Sequence, residues 1–493
     1  MTRSNKYLLL ILITLLAALL RLNNFQYEYG FYGDQGQDLL AINDWIRTNQ
    51  VPLRGILTSI GSFYNGPIYY YLIFPLVIFF DGDPIAPVIL FLIAGILTTP
   101  LVFYMVEKYV DSWTAFISSV LIALSSHTIF ISKGAYAPNL QVFIFILMFY
   151  FFLNFIKTDK ALSLFLGYLV IGVGVQFHYT FFANLFSFSL LLLILKRKKI
   201  VSARMILCAI GGFLLTLLPF ILGQFFYNFA DFKGMASYII NGNDQSRIIT
   251  FQSITDRLVF PFLIYFRVEL VPWFLTYFLK PIFLLILILC FVIGFTKNRL
   301  ASFTKVVLFI FFASLTLVVV GNLNFWWWYN DFYSLTSIFM LAIVCSYLIQ
   351  YGKLKFLGLF IFSVLIFWEI VGLPFAYGIL RSPQIAKEIA SIIKADIAKN
   401  KDKESYGILA LNPIAPSQGF EYRYLLEKDG YRTRNAVDLA DADYVIVEGK
   451  ESRGIKIDTK LKINKINTLN FNDKSLLIKY GEIYKVERNQ ETQ

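Results

Sequence analysis

Two carboxylates four residues apart, Asp34 and Asp38, lie in the stretch Tyr29-Gly30-Phe31-Tyr32-Gly33-Asp34-Gln35-Gly36-Gln37-Asp38. An acid among aromatics, in a partly dry cleft, has its pKa raised towards that of a useful base. Asp34, flanked by Tyr29, Phe31 and Tyr32, is therefore the candidate general base. Its structural alternative is a capping role for a helix predicted to begin near Gln37. Asp38 falls in the first turn of that helix, where a carboxylate is favourable anyway, and is a candidate second acid.

The elements that must position these acids are apolar. Of 493 residues, 57% are hydrophobic, 18% aromatic and 15% charged. Mean hydropathy is +0.63. A soluble fold cannot hide so much apolar surface, so the class is a mainly α, polytopic membrane protein. The net charge of +12 does not point to nucleic acid, because the basic residues cluster between apolar runs. Cys208, Cys290 and Cys345 all fall inside apolar segments, which excludes a disulfide framework. With two histidines a multi-His metal site is excluded. The first apolar run, Tyr7 to Leu20, lacks a small-residue cleavage site and reads as a retained anchor.

Spans are predicted near 7–22, 86–106, 113–131, 139–157, 161–177, 179–195, 205–224, 281–296, 304–320, 333–351 and 356–373, eleven in all. The basic start Arg3 to Lys6 places the N-terminus in the cytoplasm, and an odd number of spans places the C-terminus outside. Residues 23–85 form a long first external loop, with an amphipathic helix over Gln37 to Asn49. Residues 67–80 are assigned to the interface, because a crossing there would put Lys196 to Lys199 outside. A second external loop covers 225–279, and Trp326 to Trp328 read as an aromatic belt.

Near residue 382 the composition becomes polar, dividing the chain into a membrane module over 1–381 and an extracytoplasmic α/β domain over 382–493. In the latter, Ile385 to Lys399 reads as helix, and Tyr444 to Val447 and Ser475 to Ile478 as buried strands.

The order of the pieces resembles the membrane-embedded GT-C glycosyltransferases, in the branch of the lipid-A aminoarabinose and protein O-mannosyltransferases. The pieces are Gly33-Asp34-Gln35, Asp38 to Trp45-Ile46, Gly66-Pro67-Ile68-Tyr69-Tyr70-Tyr71, and the span from Ile85 to Val110. They continue through Leu124-Ser125-Ser126-His127 to Ala137-Pro138-Asn139, and Gly172-Val173-Gly174 to His178-Tyr179, covering about residues 7–200. Three positions depart from the family: Gln35 where Glu is usual, Asn139 where a second Asp is common, and His178 where Lys is frequent.

The resemblance implies a GT-C arrangement of spans and a polyprenyl-phosphate-linked sugar as donor. It implies transfer to a hydroxyl of a glycan, lipid or protein, with inversion. Asp34 would take the hydroxyl proton, and donors or cations would meet the leaving phosphate. Candidates for phosphate or sugar are Lys133, Asn139, His178, Arg247 and Arg267, with Tyr64 and Asn65 on the first loop and Asp331 and Tyr333 across the cleft. An outward basic residue more commonly meets lipid headgroups, and Tyr64-Asn65 before Gly66-Pro67 also suits a plain turn. No cofactor is required, and a divalent cation is compatible but not indicated. The rival reading is a transporter or lipid flippase, which requires ionisable residues deep in spans; Glu369 is the notable one here. His127, inside a span, is read as a buried, hydrogen-bonded residue.

Overall fold

The computed structural model describes residues 3–31, 33–58, 63–241, 273–296, 298–320, 332–350, 352–376, 383–399, 403–411, 416–417, 419–448, 461–470 and 480–488. Arg247, Arg267, Asp331, the three tryptophans at 326–328 and the strand expected over 475–478 lie outside the described residues.

The chain opens with α1 (Arg3–Leu22), the short α2 (Phe25–Glu28), α3 (Gly33–Thr48) and α4 (Ile68–Phe79). The helical bundle continues through α5 (Ile85–Tyr109), α6 (Ser112–Leu124), α7 (Ser126–Ser132), α8 (Gln141–Thr158), α9 (Ala161–Phe177), α10 (Phe182–Ile200) and α11 (Ala203–Phe226). After α12 (Ala230–Asn241) come α13 (Trp273–Gly294), α14 (Arg299–Val320), α15 (Phe332–Gln350) and α16 (Lys355–Ala376).

Each of the eleven predicted spans coincides with a helix or helix pair, but they are unequal. Seven helices among the described residues are long and apolar enough to cross a bilayer. The pair α6 and α7 forms an eighth, bent by 57°. Apolar segments within α9, α13 and α15 are shorter. Helix α4 has 12 residues, so it reaches about 18 Å, well short of a hydrocarbon core of about 30 Å.

The bend at Ser125 is supported from both sides. A helix break in an apolar bundle strands carbonyls at one end and N–H groups at the other. Arg21 of α1, fully buried, donates from its Nη atoms to the carbonyls of Ile122 (3.2 Å) and Ala123 (3.1 Å) at the end of α6. It also donates to Thr128 Oγ1 at 2.9 Å and Ser132 Oγ at 3.3 Å. On the other side, the Ser126 N–H donates to the carboxylate of Glu369 on α16 at 2.8 Å. A cation thus meets the negative end of α6 and an anion the positive end of α7, as the helix dipoles favour. Gly95 of α5 makes room: a Cβ there would lie 2.1 Å from Ser132 Oγ. His127 is buried in α7.

The C-terminal unit comprises α17 (Pro383–Lys399), α18 (Phe420–Lys428) and six strands: β1 (Tyr406–Leu411), β2 (Pro416–Ser417), β3 (Thr433–Asn435), β4 (Tyr444–Glu448), β5 (Leu461–Asn470) and β6 (Tyr480–Arg488). The sheet order is β2-β1-β4-β6-β5, with β3 also pairing with β1. β1 and β4 are parallel, while β6 runs antiparallel to β4 and β5. This unit docks on the segment between α1 and α5. Ile385, Ile389, Tyr422 and Leu426 share one core with Tyr29, Phe31 and Leu39. Tyr424 donates to the Gly82 carbonyl, and Lys387 pairs with Asp83 at 2.9 Å.

Candidate active site

Helix α3 begins at Gly33, four residues before the predicted start, which puts Asp34 in its first turn. Asp34 and Asp38 are then one helical turn apart on the same face. Both line a cavity of about 130 Å³ with Gln37, Ile56, Leu57, Thr58, Asn65, Tyr136 and His178, among others.

Three loops build the cavity walls. The arms Gly55–Thr58 and Phe63–Asn65 pair as a hairpin: Gly55 N–H donates to Asn65 O at 2.8 Å, Asn65 N–H to Ile56 O at 2.9 Å, and Thr58 N–H to Phe63 O at 3.0 Å. Buried Asp231 of α12 clamps this hairpin, accepting from Arg54 Nε (2.7 Å), Tyr64 N–H (3.0 Å) and Gln224 Nε2 (2.7 Å). The second wall follows α7. Gly30 N–H donates to Lys133 O, and Lys133 Nζ to Asn23 O at 2.9 Å, so this loop is tied to the end of α1. Asn139 Nδ2 donates to the carbonyls of Ile131 and Gly134, and Tyr136 to Pro138 face the cavity. The third wall is His178, between α9 and α10.

The two acids differ in setting. Asp34 is exposed and lines the cavity. Desolvation raises its pKa above the ordinary carboxylate range, and the charge of Glu421 on α18 adds to the rise. Asp38 is 4% exposed, and its Oδ1 has no hydrogen-bond partner among the described residues. Burial raises its pKa strongly and Asp34 raises it further, against the Tyr70 hydroxyl, which hydrogen-bonds the carboxyl and acts downward. Both carboxyls are thus pushed upward, Asp38 the more strongly as the drier member. Asp34 is the member that opens into the cavity and can accept a proton there.

Burial pushes the His178 imidazole down to about 3, so it is neutral. Its Nδ1 lies 2.9 Å from Thr180 Oγ1 and 3.3 Å from the Thr180 backbone nitrogen, so Thr180 holds that side of the ring. His178 is thus a neutral imidazole, not a cation.

Of the residues singled out in the sequence, the cavity brings together Asp34, Asp38, Asn65 and His178. Lys133 is fully buried behind the wall on the Asn23 carbonyl and does not line the cavity. Asn139 spends its amide on the same loop, and Tyr64 lies under the Arg54 guanidinium, 4.9 Å from the ring centre. Tyr333 stands in the first turn of α15, with its side chain outside the described residues. Sequence reasoning missed Gln37, Thr58 and Tyr136; their only signal was proximity to Asp38, Asn65 and Pro138 in the chain. It also missed Glu421, which had no signal at all. A second, apolar recess of about 350 Å³, among Tyr168, Leu185, Leu193, Ile206 and Phe213, shares no lining residue with this cavity.

No protein-family model matches the chain, and no curated protein matches it. Solved structures do. ArnT from Cupriavidus metallidurans in the apo state aligns over 98% of both chains at 9% identity, with a TM-score of 0.62. The same protein bound to undecaprenyl phosphate gives 12% identity over 98% of both chains and 0.53. The oligosaccharyltransferase AglB from Archaeoglobus fulgidus, in complex with an inhibitory peptide and a dolichol-phosphate, aligns over 90% of this chain and 69% of its own, at 14% identity and 0.53. The chain therefore has the GT-C glycosyltransferase fold of a multi-pass membrane protein. One structure of the archaeal enzyme is a complex with Zn and sulfate. Among the described residues here, no group of three or more His, Cys, Asp or Glu side chains is placed to hold a metal ion.

Proposed function

We propose that this protein is an inverting membrane glycosyltransferase that moves a sugar from a polyprenyl-phosphate carrier to an acceptor hydroxyl on the external face. The observation that carries this is Asp34, an acid of raised pKa opening into a walled cavity at one end of a GT-C bundle. Asp34 takes the proton of the acceptor hydroxyl as that oxygen bonds the anomeric carbon. The carbon–oxygen bond to the phosphate breaks, and its electron pair leaves with the carrier phosphate. The neutral His178 imidazole, which lines the cavity with Asp34, is the group assigned to the developing charge on the phosphate. The ionisable residues within spans do not favour transport: Arg21 and Glu369 both bind the backbone of the α6–α7 break.

Membranes holding the protein, incubated with a panel of labelled polyprenyl-phosphate sugars, should show transfer from at least one member. Asp34→Asn should abolish it while expression and membrane insertion stay normal. Transfer retained in that variant would remove the base assignment.

A further inference from the structure

We propose that Glu421, presented by the C-terminal unit against the helix that bears Asp34, is a positioning residue for the base, so that the active site is complete only with the sheet docked. The reading rests on Asp34 as the base.

The geometry is that of a close helix crossing. Gly36 of α3 packs directly on the first turn of α18: a Cβ at position 36 would lie 2.3 Å from the Glu421 backbone nitrogen and 2.5 Å from the Phe420 carbonyl carbon. No side chain fits there without moving the backbone. Glu421 is 1% exposed at this interface, and Gly36 is two residues from Asp34. The contact is anchored on its flank, where Phe31 meets the Tyr424 ring edge to face at 6.4 Å and Tyr424 holds the Gly82 carbonyl. A carboxylate is expensive to bury, and this one is buried within electrostatic reach of Asp34.

The other charged and titratable groups around Asp34 do not substitute for it. Asp38, on the same helix, is buried and is served by the Tyr70 hydroxyl of α4. His178 is neutral. Lys133 is held on the Asn23 carbonyl, and Arg423 of α18 turns to Thr433 and Asn435. Glu421 is the group whose charge adds to desolvation in raising Asp34. Like charges held close disfavour a second ionisation, which makes Asp34 a stronger proton acceptor at neutral pH.

The test reads Asp34 directly. Full-length protein in lipid nanodiscs is treated with dicyclohexylcarbodiimide, which adds to protonated carboxyls, across a pH series, and labelling at Asp34 is read by peptide mass spectrometry. In Glu421→Gln the midpoint for Asp34 should move to lower pH, each unit meaning about a tenfold fall in the protonated fraction at a given higher pH. Glu421→Asp should restore part of the shift. Gly36→Ala, which keeps Glu421 but pries the helices apart, should move the midpoint the same way. An unmoved midpoint in folded Glu421→Gln overturns the proposal; if that variant does not fold, an unmoved midpoint in Gly36→Ala overturns it. Transfer surviving in Asp34→Asn would instead sink the base assignment while the carbodiimide result still reported the carboxylate coupling.

Discussion

Arg21→Met puts the support of the broken span to a quantitative test. The substitution keeps most of the side-chain volume but removes five hydrogen bonds from one buried guanidinium, to Ala17, Ile122, Ala123, Thr128 and Ser132. Not all of these count equally. The Ala17 carbonyl belongs to a continuous helix, and the Ile122 carbonyl also accepts from Thr128 Oγ1 at 2.9 Å. The main losses are the charged donor to Ala123 and the bonds that hold Thr128 and Ser132 of α7. A hydrogen bond to a charged group contributes about 1.5–3 kcal/mol, and a buried acceptor left bare costs about 1–3 kcal/mol. Relief from burying the guanidinium offsets part of this, but the carbonyls remain, so the net cost is about 3–5 kcal/mol. Reversible unfolding in mixed micelles with SDS as denaturant, followed by tryptophan fluorescence, measures it. Arg21→Lys, with one donor group, should recover about half. Because Glu369 supports the other side of the same bend, Arg21→Met with Glu369→Gln should cost less than the sum of the two single changes. An Arg21→Met variant within about 1 kcal/mol of the parent would refute the capping argument.

Further outcomes follow from the same geometry. Asp34 must be ionised to accept a proton, so transfer should rise with pH along a limb lying above the ordinary aspartate range, and a limb near pH 4 would contradict the desolvated setting. His178 is already neutral well below that range, so His178→Gln should leave the limb's position unchanged even where it lowers the rate. Asp231→Ala strips the hairpin of its clamp and leaves Arg54 unpaired; a local loss of about 3 kcal/mol should appear as faster hydrogen exchange over residues 53–66. Lys133→Met should lower stability through the lost bond to Asn23 and leave the KM for the lipid donor unchanged, whereas a raised KM would restore it as a phosphate ligand.

Much of the bundle was legible because hydropathy is a property of single segments. A run of membrane length is apolar whatever it packs against, so the apolar helices could be placed from residues 7 to 373, and the charge distribution marked residues 67–80 as non-crossing, which the 12-residue length of α4 fits. The start of α3 was misplaced because Gly33 and Gly36 read as loop, whereas Gly36 is there to let another helix approach. Asp34 and His178 were legible from their setting among aromatics and at a span end. Lys133 was not, since a basic residue at a span end looks the same whether it faces an anion or caps a carbonyl. The break at Ser125 was hidden because its supports, Arg21 and Glu369, are distant in the chain, and each alone looks like a misplaced charge. Strand β1 was missed because a six-residue apolar run does not by itself separate strand from helix, and β5 because in its polar stretch register, not composition, makes the sheet.

The crossing at Gly36 also sets an order of events during biosynthesis. Helix α3 leaves the ribosome early, yet α18, which packs on it, follows α5 to α16 in the chain. A nascent protein halted short of residue 420 would carry α1 to α16 with the Gly36 face of α3 uncovered. A product truncated there would therefore lack the wall that α18 gives to the helix bearing Asp34.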